Sequence, residues 1–590
     1  MTLRVVERLE TAGLTRARFG GKGFFLTKLA ELGHPVPPFR ILESARLHAG
    51  DIVLAEIEAL LSELRAEAVE RMGVSAASVA FAVRSSAPVS MPGMMDTLLG
   101  IGLSPSQMSK LAARLGTAHA AWDMVCTGAR SLCVHSAGLD DKEIETIGEP
   151  GPGAYERLVT AYEQRTGRAF PATPEAQVLH AVHAVAQSWH NDRAREYRRV
   201  QRVSEAAHAS VVIQAMAFGT ANGASGSGVV FSHDPLTGER GLHGEYMPTS
   251  TGESLVSGTA TPIDVATLAV EDRDCYSELA ERVDELFRWT TLMVEVEFVV
   301  ERGRLWLVQL RSAVCTDEIR NSVTVDSWRD GLIDRSEALR RLNLDALFAK
   351  TPARAADGSA RLLATGLPAS AGVATGRFVS HPDDAIALVD EPTVLLRQKT
   401  EPEDFLGMVH SVAVVTLEGG TGSHAAVVAR ELGRPAVVGA SFVEPAWLQQ
   451  ADGAIVTVCG TTGRVWLGAV AEQDAVPLAW PADLIGTPWG THIVESLDDV
   501  VAAEPDAVMG DGLGALERTS PRRGLVVTAD PQVATLIGRS CRVAYIASAS
   551  EREPWRVALP DVPVAYIVVA SAAQRSYVQA ALAIREAAAE

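Results

Sequence analysis

Alternating apolar and polar positions predict a β-hairpin between residues 292 and 311. Two strand-like runs, 292–300 and 304–311, are separated by three residues that end in Gly303. A three-residue turn with glycine in third place predicts that Glu295 pairs with Gln309. Successive side chains of a strand point to opposite faces. The polar side chains predicted to share one face are Glu295, Glu297, Gln309 and Arg311.

This polar face has two interpretations that alternation alone leaves open. Two carboxylates beside an arginine and an amide would be costly in a dry interior, so the face is either solvated or covered by a ligand. Half-solvated antiparallel sheets are common, which favours a plain exposed face. A divalent ion that holds a triphosphate would satisfy all four side chains, which favours a nucleotide site.

A second pattern surrounds His424. A β-rich run, 412–416, enters a loop with three glycines, and an Ala/Val/Leu helix then runs from His424 to Gly433, before Pro435. The free N–H groups at a helix N-terminus favour an anion, so a phosphoryl group on His424 would be stabilised there. The alternative is a histidine that only caps or packs the helix.

Two earlier segments also carry phosphate-type chemistry. Lys22 lies in a loop with glycines at positions 20, 21 and 23 that opens a helix, where backbone N–H groups could cradle a phosphate. The ordinary interpretation is a turn with a solvated lysine. Further on, a strand from residue 79 delivers Arg84 into a Ser/Pro/Gly-rich loop that could cover a phosphate.

These segments together resemble the pyruvate phosphate dikinase family. The run Gly-Gly-x-x-Ser-His-Ala-Ala-Val-Val-Ala-Arg ending at Arg430 is similar to its phosphohistidine signature, and Ser-Met-Pro-Gly-Met-Met-Asp-Thr ending at Thr97 is similar to its dikinase loop. The resemblance implies ATP and Mg²⁺ as cofactors, transfer of the β-phosphoryl group with release of AMP, and a metal site at Glu295 and Glu297. It implies catalytic roles for His424, Arg84 and Arg311, and nucleotide binding by Lys22, Arg84, Gln214, Glu253, Gln309 and Arg311.

Two departures from the family pattern limit these expectations. Gly422 stands where plant dikinases carry a regulatory threonine, so that form of regulation is not expected. Cys126 and Thr127 stand where the family usually has an arginine pair that contributes to phosphate handling. The sequence therefore leaves open whether inorganic phosphate or water receives the γ-phosphate, which would leave as pyrophosphate or as phosphate.

Composition narrows the class of protein. The 590 residues are 47% hydrophobic and carry a formal net charge of −20, which predicts several folded domains and argues against nucleic acid or an anionic membrane as partner. There is no Cys-x-x-Cys spacing among the six cysteines and no leader-like or membrane-spanning apolar run. We therefore expect a cytoplasmic protein with reduced thiols.

The predicted fold is multidomain α/β and α+β. The resemblance implies an ATP-grasp nucleotide-binding domain at 1–340, a linker at 341–360 and a swivelling phosphohistidine β/α domain at 361–472. The remaining segment, 473–590, has strand-like runs at 524–527, 543–546 and 564–569 between Ala-rich stretches, which predicts a short α/β domain. Arg518 within it faintly resembles a phosphate-binding position of the family's large barrel.

The acceptor of the phosphoryl group is the open question. About 110 residues follow the phosphohistidine domain, too few for the family's pyruvate-binding barrel, so we expect either a separate acceptor protein or a small-molecule acceptor, as in the related rifampicin phosphotransferases. A non-catalytic, nucleotide-binding regulatory relative is the alternative from another class. Oligomeric state does not follow from the resemblance.

Overall fold

The computed structural model describes residues 16–43, 47, 52–89, 91–204, 208–221, 223–250, 262–343, 354–355, 361–388, 390–444, 447 and 452–473, together with five short strands beyond residue 490. The chain forms two compact units, within which most contacts between residues lie. Unit 1 comprises Met1–Cys315 and Pro352–Gln473, and unit 2 comprises Thr316–Thr351 and Asp474–Glu590. Unit 2 thus takes in residues 316–340, which the predicted first domain includes; the boundaries at 340, 360 and 472 stay predictions.

The N-terminal part of unit 1 opens with a helix-covered sheet. Its helices are α1 (Arg16–Glu31), α2 (Leu54–Met72), α3 (Met108–Leu115), α4 (Ala118–Ala137), α5 (Asp141–Glu145), α6 (Pro152–Thr166), α7 (Pro174–Ser188) and α8 (Asp192–Val200). Its strands are β1 (Phe39–Leu42), β2 (Phe81–Ser86), β3 (Thr97–Ile101) and β4 (Ser210–Ala215). The strands are antiparallel in the order β1-β4-β2-β3. Apolar side chains of α2, α4, α6 and α7 bury the sheet in one core, and six of the helices lie between β3 and β4 in the chain.

A second antiparallel sheet follows in the order β7-β6-β5-β8-β9. Its strands are β5 (Gly226–His233), β6 (Arg240–Pro248), β7 (Ile263–Asp264), β8 (Val294–Glu301) and β9 (Arg304–Ser312), and its helices are α9 (Leu268–Glu271) and α10 (Arg273–Thr290). Every residue of β5 is buried. A Cβ on Gly228 would lie 2.4 Å from the ring of Phe298, so glycine there lets an aromatic side chain of β8 cross the central strand.

The β8–β9 hairpin shares the predicted polar face but has a different register. Glu297 pairs with Gln309 and Glu295 with Arg311, so the predicted pairing of Glu295 with Gln309 is wrong. The turn contains two residues, both with positive φ (54° and 73°), which is the geometry of a tight hairpin. A register shift between residues 297 and 298 then moves the pairing by one position and brings all four polar residues back onto one face.

The C-terminal part of unit 1 is a closed barrel. Its strands, in the order β11-β15-β14-β13-β12-β16-β17, are β11 (Leu362–Ser370), β12 (Val373–Val379), β13 (Thr393–Arg397), β14 (Ala413–Thr416), β15 (Ala436–Phe442), β16 (Ile455–Cys459) and β17 (Arg464–Leu467). The helices are α11 (Pro382–Ala387), α12 (Phe405–His410) and α13 (His424–Glu431). A small ladder of β10 (Arg354–Ala355) and β18 (Glu472–Gln473) accompanies the barrel. The predicted strand, glycine loop and helix around His424 are confirmed.

Unit 2 contains the helices Asp317–Arg329 and Arg335–Arg341 and a parallel sheet. The strands are β19 (His492–Val494), β20 (Val508–Met509), β21 (Leu525–Thr528), β22 (Arg542–Ile546) and β23 (Tyr566–Val568), in the order β19-β23-β22-β21-β20. The three predicted strand runs are confirmed, and their parallel pairing is typical of an α/β unit. The Ala-rich stretches between them and Arg518 lie outside the described residues.

Candidate active site

A cavity of about 1080 Å³ lies in unit 1. Residues of both antiparallel sheets, of α1 and α4, and of the barrel line it. The predicted site residues found in its wall are Lys22, Arg84, Gln214, Glu295, Glu297, Gln309, Arg311 and His424. Glu253, the remaining predicted nucleotide ligand, lies outside the described residues. The fold therefore gathers side chains from distant parts of the sequence at one place.

The glycine loop in α1 is shaped by close packing against the end of β2. Gly20 has a φ of 71°, and a Cβ there would lie 1.9 Å from the carbonyl oxygen of Ser86. The N–H of Gly21 donates to the carbonyl of Ala87 at 2.7 Å, and the N–H of Gly23 donates to the Ser86 hydroxyl at 2.9 Å. Two of the amides expected to cradle a phosphate are therefore engaged within the protein, and phosphate binding by this loop stays a prediction. The loop fixes α1 on the sheet.

Lys22 contributes a charged side chain to a crowded group of cations. Its pKa is lowered to about 7, first by burial and then by the positive charges of Arg84 and Arg311, while Glu297 acts in the opposite direction. Like charges held together in a partly buried cavity disfavour one another, and a bound polyanion would relieve that repulsion. The cluster therefore has the electrostatics of a polyphosphate site.

The polar side chains of β8 and β9 are joined to Arg84 of β2 by hydrogen bonds. Arg84 Nη2 donates to Glu297 Oε2 at 3.1 Å and to Gln309 Oε1 at 2.7 Å. The amide of Gln309 donates to Glu297 Oε1 at 2.5 Å, and Arg311 pairs with Glu295, which is 2% exposed. The predicted shared face is thus confirmed, and its polar groups satisfy one another across two sheets.

Glu295 and Glu297 have the ligand chemistry that Mg²⁺ prefers, but they cannot complete a site alone. Mg²⁺ takes octahedral oxygen ligands and usually combines one or two carboxylates with phosphate oxygens and water. Among the residues that the structure describes, no group of three or more His, Cys, Asp or Glu side chains is placed to hold a metal. The two carboxylates therefore fit an ion that arrives with a nucleotide, and their arginine partners would have to release them.

Gln214 of β4 presents an unused hydrogen-bond donor. The side chain is 2% exposed, and its Oε1 lies 3.4 Å from Arg84 Nη1. Its Nε2 is buried and has no hydrogen-bond partner among the described residues. An unsatisfied buried donor costs about 1–3 kcal/mol, so an acceptor on a ligand in the cavity would stabilise this arrangement.

His424 lies at the first position of α13, half-buried in the wall of the same cavity. Burial lowers its pKa to about 4, against the opposing effects of the Pro92 backbone and of Asp404 and Glu403. Its Nδ1 lies 3.4 Å from Thr400 Oγ1, and its buried Nε2 has no hydrogen-bond partner among the described residues. The imidazole is therefore neutral, as a nucleophile must be.

The loop of β2–β3 packs directly on that imidazole. A Cβ on Gly93 would lie 2.7 Å from His424 Nε2, so glycine at position 93 allows the loop backbone to approach the ring this closely. Met94 and Met95 of the same loop join a core that includes Ala425 and Ala429 of α13. The methionines thus pack against the barrel, where their flexible side chains fill the core.

Glu245 of β6 is a functional candidate that sequence reasoning missed. Its carboxylate accepts hydrogen bonds from the N–H and hydroxyl of Thr421 and from the N–H of Gly422, the last two at 2.9 and 3.2 Å. A Cβ on Gly420 would lie 2.3 Å from the same carboxylate. The signal was present in the sequence as a charged residue inside a buried strand, but its partner lies far along the chain.

Further polar contacts join the helical region to the barrel. Tyr197 donates to Glu431 at 2.9 Å, and Arg193 donates to Glu403 at 2.8 Å. Burial raises the pKa of Glu431, although Tyr197 and Arg311 act in the opposite direction. These contacts hold His424 against the cavity that contains the cation cluster.

Two protein-family models match this chain. The AMP/ATP-binding domain of pyruvate phosphate dikinase matches residues 50–284, and the mobile domain of PEP-utilising enzymes matches residues 389–463. The first match includes Arg84 and Gln214 but ends before β8 and β9, and the second covers the part of the barrel that carries His424. The prediction of an adenine-nucleotide-binding region is confirmed, and the chain contains a mobile domain of the type found in PEP-utilising enzymes.

Sequence identity with curated proteins identifies the family of this chain. Pyruvate, phosphate dikinase of Rhizobium meliloti is 32% identical over 508 residues, which cover 77% of this chain and 56% of the relative. The chloroplastic enzyme of Flaveria pringlei is 32% identical over 512 residues, 80% of this chain and 53% of the relative. The Giardia intestinalis enzyme is 32% identical over 501 residues, 78% of this chain and 56% of the relative. The chain belongs to the pyruvate phosphate dikinase family.

The match with these relatives is partial. The chain spans about half the length of the curated relatives it matches.

Within the described ranges, every helix is too short or too polar to traverse a bilayer.

Proposed function

We propose that this chain is an ATP-dependent phosphotransferase that carries the β-phosphoryl group of ATP on His424. One observation carries the proposal: a neutral imidazole, whose buried Nε2 has no hydrogen-bond partner among the described residues, lines the same cavity as Lys22, Arg84 and Arg311. A nucleophile beside a cluster of cations is the arrangement that transfer of a phosphoryl group requires.

The chain's own residues have separate roles in this transfer. A proton on Nδ1, facing Thr400 Oγ1, leaves the lone pair of His424 Nε2 free to attack the β-phosphorus. A bond forms between Nε2 and the β-phosphorus while the bond from that phosphorus to the oxygen shared with the α-phosphate breaks, and AMP leaves with that oxygen. The γ-phosphoryl group stays attached to the β-phosphate until water or inorganic phosphate receives it. Lys22, Arg84 and Arg311 neutralise phosphate oxygens. Mg²⁺, when bound by Glu295 and Glu297, supplies further stabilisation of the developing charge.

We further propose an ATP-grasp fold for the two antiparallel sheets and a swivelling role for the barrel. In the arrangement described above, His424 faces the nucleotide cavity and is covered by the loop of Gly93. A phosphoryl group formed there must leave this cavity to reach an acceptor. The acceptor is a small molecule or a separate protein, met after the barrel has turned away.

The decisive experiment incubates the chain with Mg²⁺ and ATP labelled at the β-phosphorus. We expect acid-labile label on His424 and one AMP per labelled chain, and we expect neither with His424→Asn. His410→Asn is the matched control, because His410 is exposed on α12 of the same barrel and its Nδ1 lies 2.9 Å from the Leu406 carbonyl. Label that persists on His424→Asn would show that the phosphate acceptor is another residue.

A further inference from the structure

One face of α4 lines the cavity with polar side chains. The proposed transfer to His424 gives these side chains no role. Thr127, Arg130, Ser131 and His135 all line the cavity. Arg130, Ser131 and His135 follow Thr127 by three, four and eight residues, so all four side chains lie along one side of the helix. Cys126, which belongs to another face, is buried in the hydrophobic core and lies 3.7 Å from the carbonyl of Gly151.

His135 is paired with a carboxylate of the β2–β3 loop. Its Nδ1 lies 3.2 Å from Asp96 Oδ2. The backbone N–H of Asp96 donates to the Ser188 hydroxyl at 3.1 Å, and its carboxylate also pairs with Arg193. Burial alone would raise the pKa of Asp96, but the hydrogen bond with His135 and the charge of Arg193 outweigh it and lower the pKa.

This geometry decides which ring nitrogen can accept a proton. A carboxylate facing Nδ1 holds a proton on that nitrogen and fixes the orientation of the ring. Nε2 then keeps its lone pair. An oriented imidazole that lines a reaction cavity has the chemistry of a general base.

We propose that His135 is the general base that activates water to receive the γ-phosphoryl group of ATP. The inference rests on the proposed phosphotransferase function and extends it to the second product. The water oxygen forms a bond to the γ-phosphorus, and the bond from that phosphorus to the oxygen shared with the β-phosphate breaks. The proton of water moves to His135 Nε2 and then to solvent. The products of the first half-reaction are AMP, inorganic phosphate and phosphorylated His424.

The same wall favours water over inorganic phosphate as the acceptor. Free phosphate at neutral pH is largely a dianion that needs cations and no base, whereas water needs a base. On α4, Thr127 is uncharged, and Arg130 already donates Nη2 to the Gly148 carbonyl at 2.9 Å.

The test is a single turnover of ATP in water enriched in ¹⁸O, with Mg²⁺ and with or without added inorganic phosphate. We expect AMP and inorganic phosphate with one ¹⁸O atom per phosphate, at a rate that added phosphate does not change. Pyrophosphate that forms only with added phosphate, without ¹⁸O in the products, would overturn the inference.

Three variants then test the residue itself. His135→Ala should slow release of the γ-phosphate by about 100-fold or more, the scale of general-base catalysis. Imidazole in the buffer should restore part of that rate, which a merely structural role would not allow. His135→Gln keeps a hydrogen-bond donor for Asp96 but accepts no proton, so it should be equally slow. His119→Ala, an exposed histidine of the same helix, should react as the unchanged chain.

Different experimental results would refute the role of His135, the role of water and the proposed function. Acid-labile label on His424 together with pyrophosphate would leave the phosphotransferase intact and refute water as acceptor. Unchanged rates in His135→Ala and His135→Gln, with ¹⁸O still incorporated, would refute His135 as the base. Absence of both AMP and labelled His424 under all conditions would refute the proposed function.

Discussion

Glu245 of the second sheet accepts a hydrogen bond from the Thr421 hydroxyl of the barrel at 2.9 Å. The same carboxylate accepts from two backbone N–H groups of the glycine loop. An anion held by successive N–H groups is the usual occupant of such a loop. The nucleotide-binding region thus supplies a carboxylate that positions the histidine loop beside the cavity.

This relationship predicts that Gly420→Ala slows phosphorylation of His424. The added Cβ would lie 2.3 Å from Glu245 Oε2, so the carboxylate must move and lose its hydrogen bonds to the loop. Hydrogen bonds to a charged group contribute about 1.5–3 kcal/mol, which corresponds to a roughly 10- to 100-fold slower reaction. The rate of incorporation of β-label measures the effect.

Gly151→Ala is the matched control for this substitution. Its backbone is extended and a Cβ there would meet no atom within 4 Å, so the rate should not change. Equal rates for Gly420→Ala and the unchanged chain would show that the Glu245 contact does not position His424.

The polar face of the β8–β9 hairpin predicts that Glu297→Gln lowers the affinity for Mg²⁺. Removing one of two carboxylates weakens the ion that arrives with ATP, and we expect an apparent affinity for Mg²⁺ lower by about 10-fold or more, from the loss of about 1.5 kcal/mol or more per charged contact. Arg84 loses a charged partner as well. A Mg²⁺ titration of ATP turnover measures the shift, and an unchanged midpoint would contradict a metal role for this face.

Local patterns predicted the polar face but not its register, which depends on the length of the turn and on a bulge. Alternation alone placed Glu295 and Glu297 with Gln309, because side chains of a strand alternate whatever the partner. The register depends on the bulge near Val308, whose carbonyl accepts a hydrogen bond from Arg84 of another sheet at 2.9 Å. No pattern within the hairpin reports that contact.

The histidine site shows the same division. The strand, loop and helix around His424 follow from local glycine and apolar patterning, and the structure confirms them. Glu245 and the Asp96–His135 pair join residues far apart in the chain, and each residue alone has an ordinary surface or core interpretation. Only the packing of the barrel on the sheets makes their chemistry visible.

The lowered pKa of Lys22 predicts that the protein takes up a proton when ATP binds. With a pKa of about 7, Lys22 is mostly neutral in the free protein at pH 8–9, and a bound polyphosphate would stabilise the ammonium and raise that pKa. Up to about one proton should therefore be taken up per ATP, and affinity should fall by up to about tenfold per pH unit over this range.

Calorimetry in buffers of different ionisation enthalpy measures the uptake of protons by the Lys22 site. Lys22→Met cannot take up a proton, so the buffer dependence at pH 8–9 should disappear in this variant. A buffer dependence of equal size in both proteins would assign the proton to another group.

His424 predicts that acid weakens docking of the barrel on the nucleotide region. In the docked arrangement its pKa is about 4, whereas a histidine exposed by swivelling has the ordinary value of about 6.5. Between these values the undocked histidine binds a proton that the docked one cannot, so lowering the pH favours the undocked state. The docked population, once it is the minor one, should fall by up to about tenfold per pH unit below 6.5. Rates of β-label incorporation from pH 7.5 to pH 5 test this, with precipitation of the chain excluded by light scattering. A rate that stays constant across this range would show that the ring is not desolvated on docking.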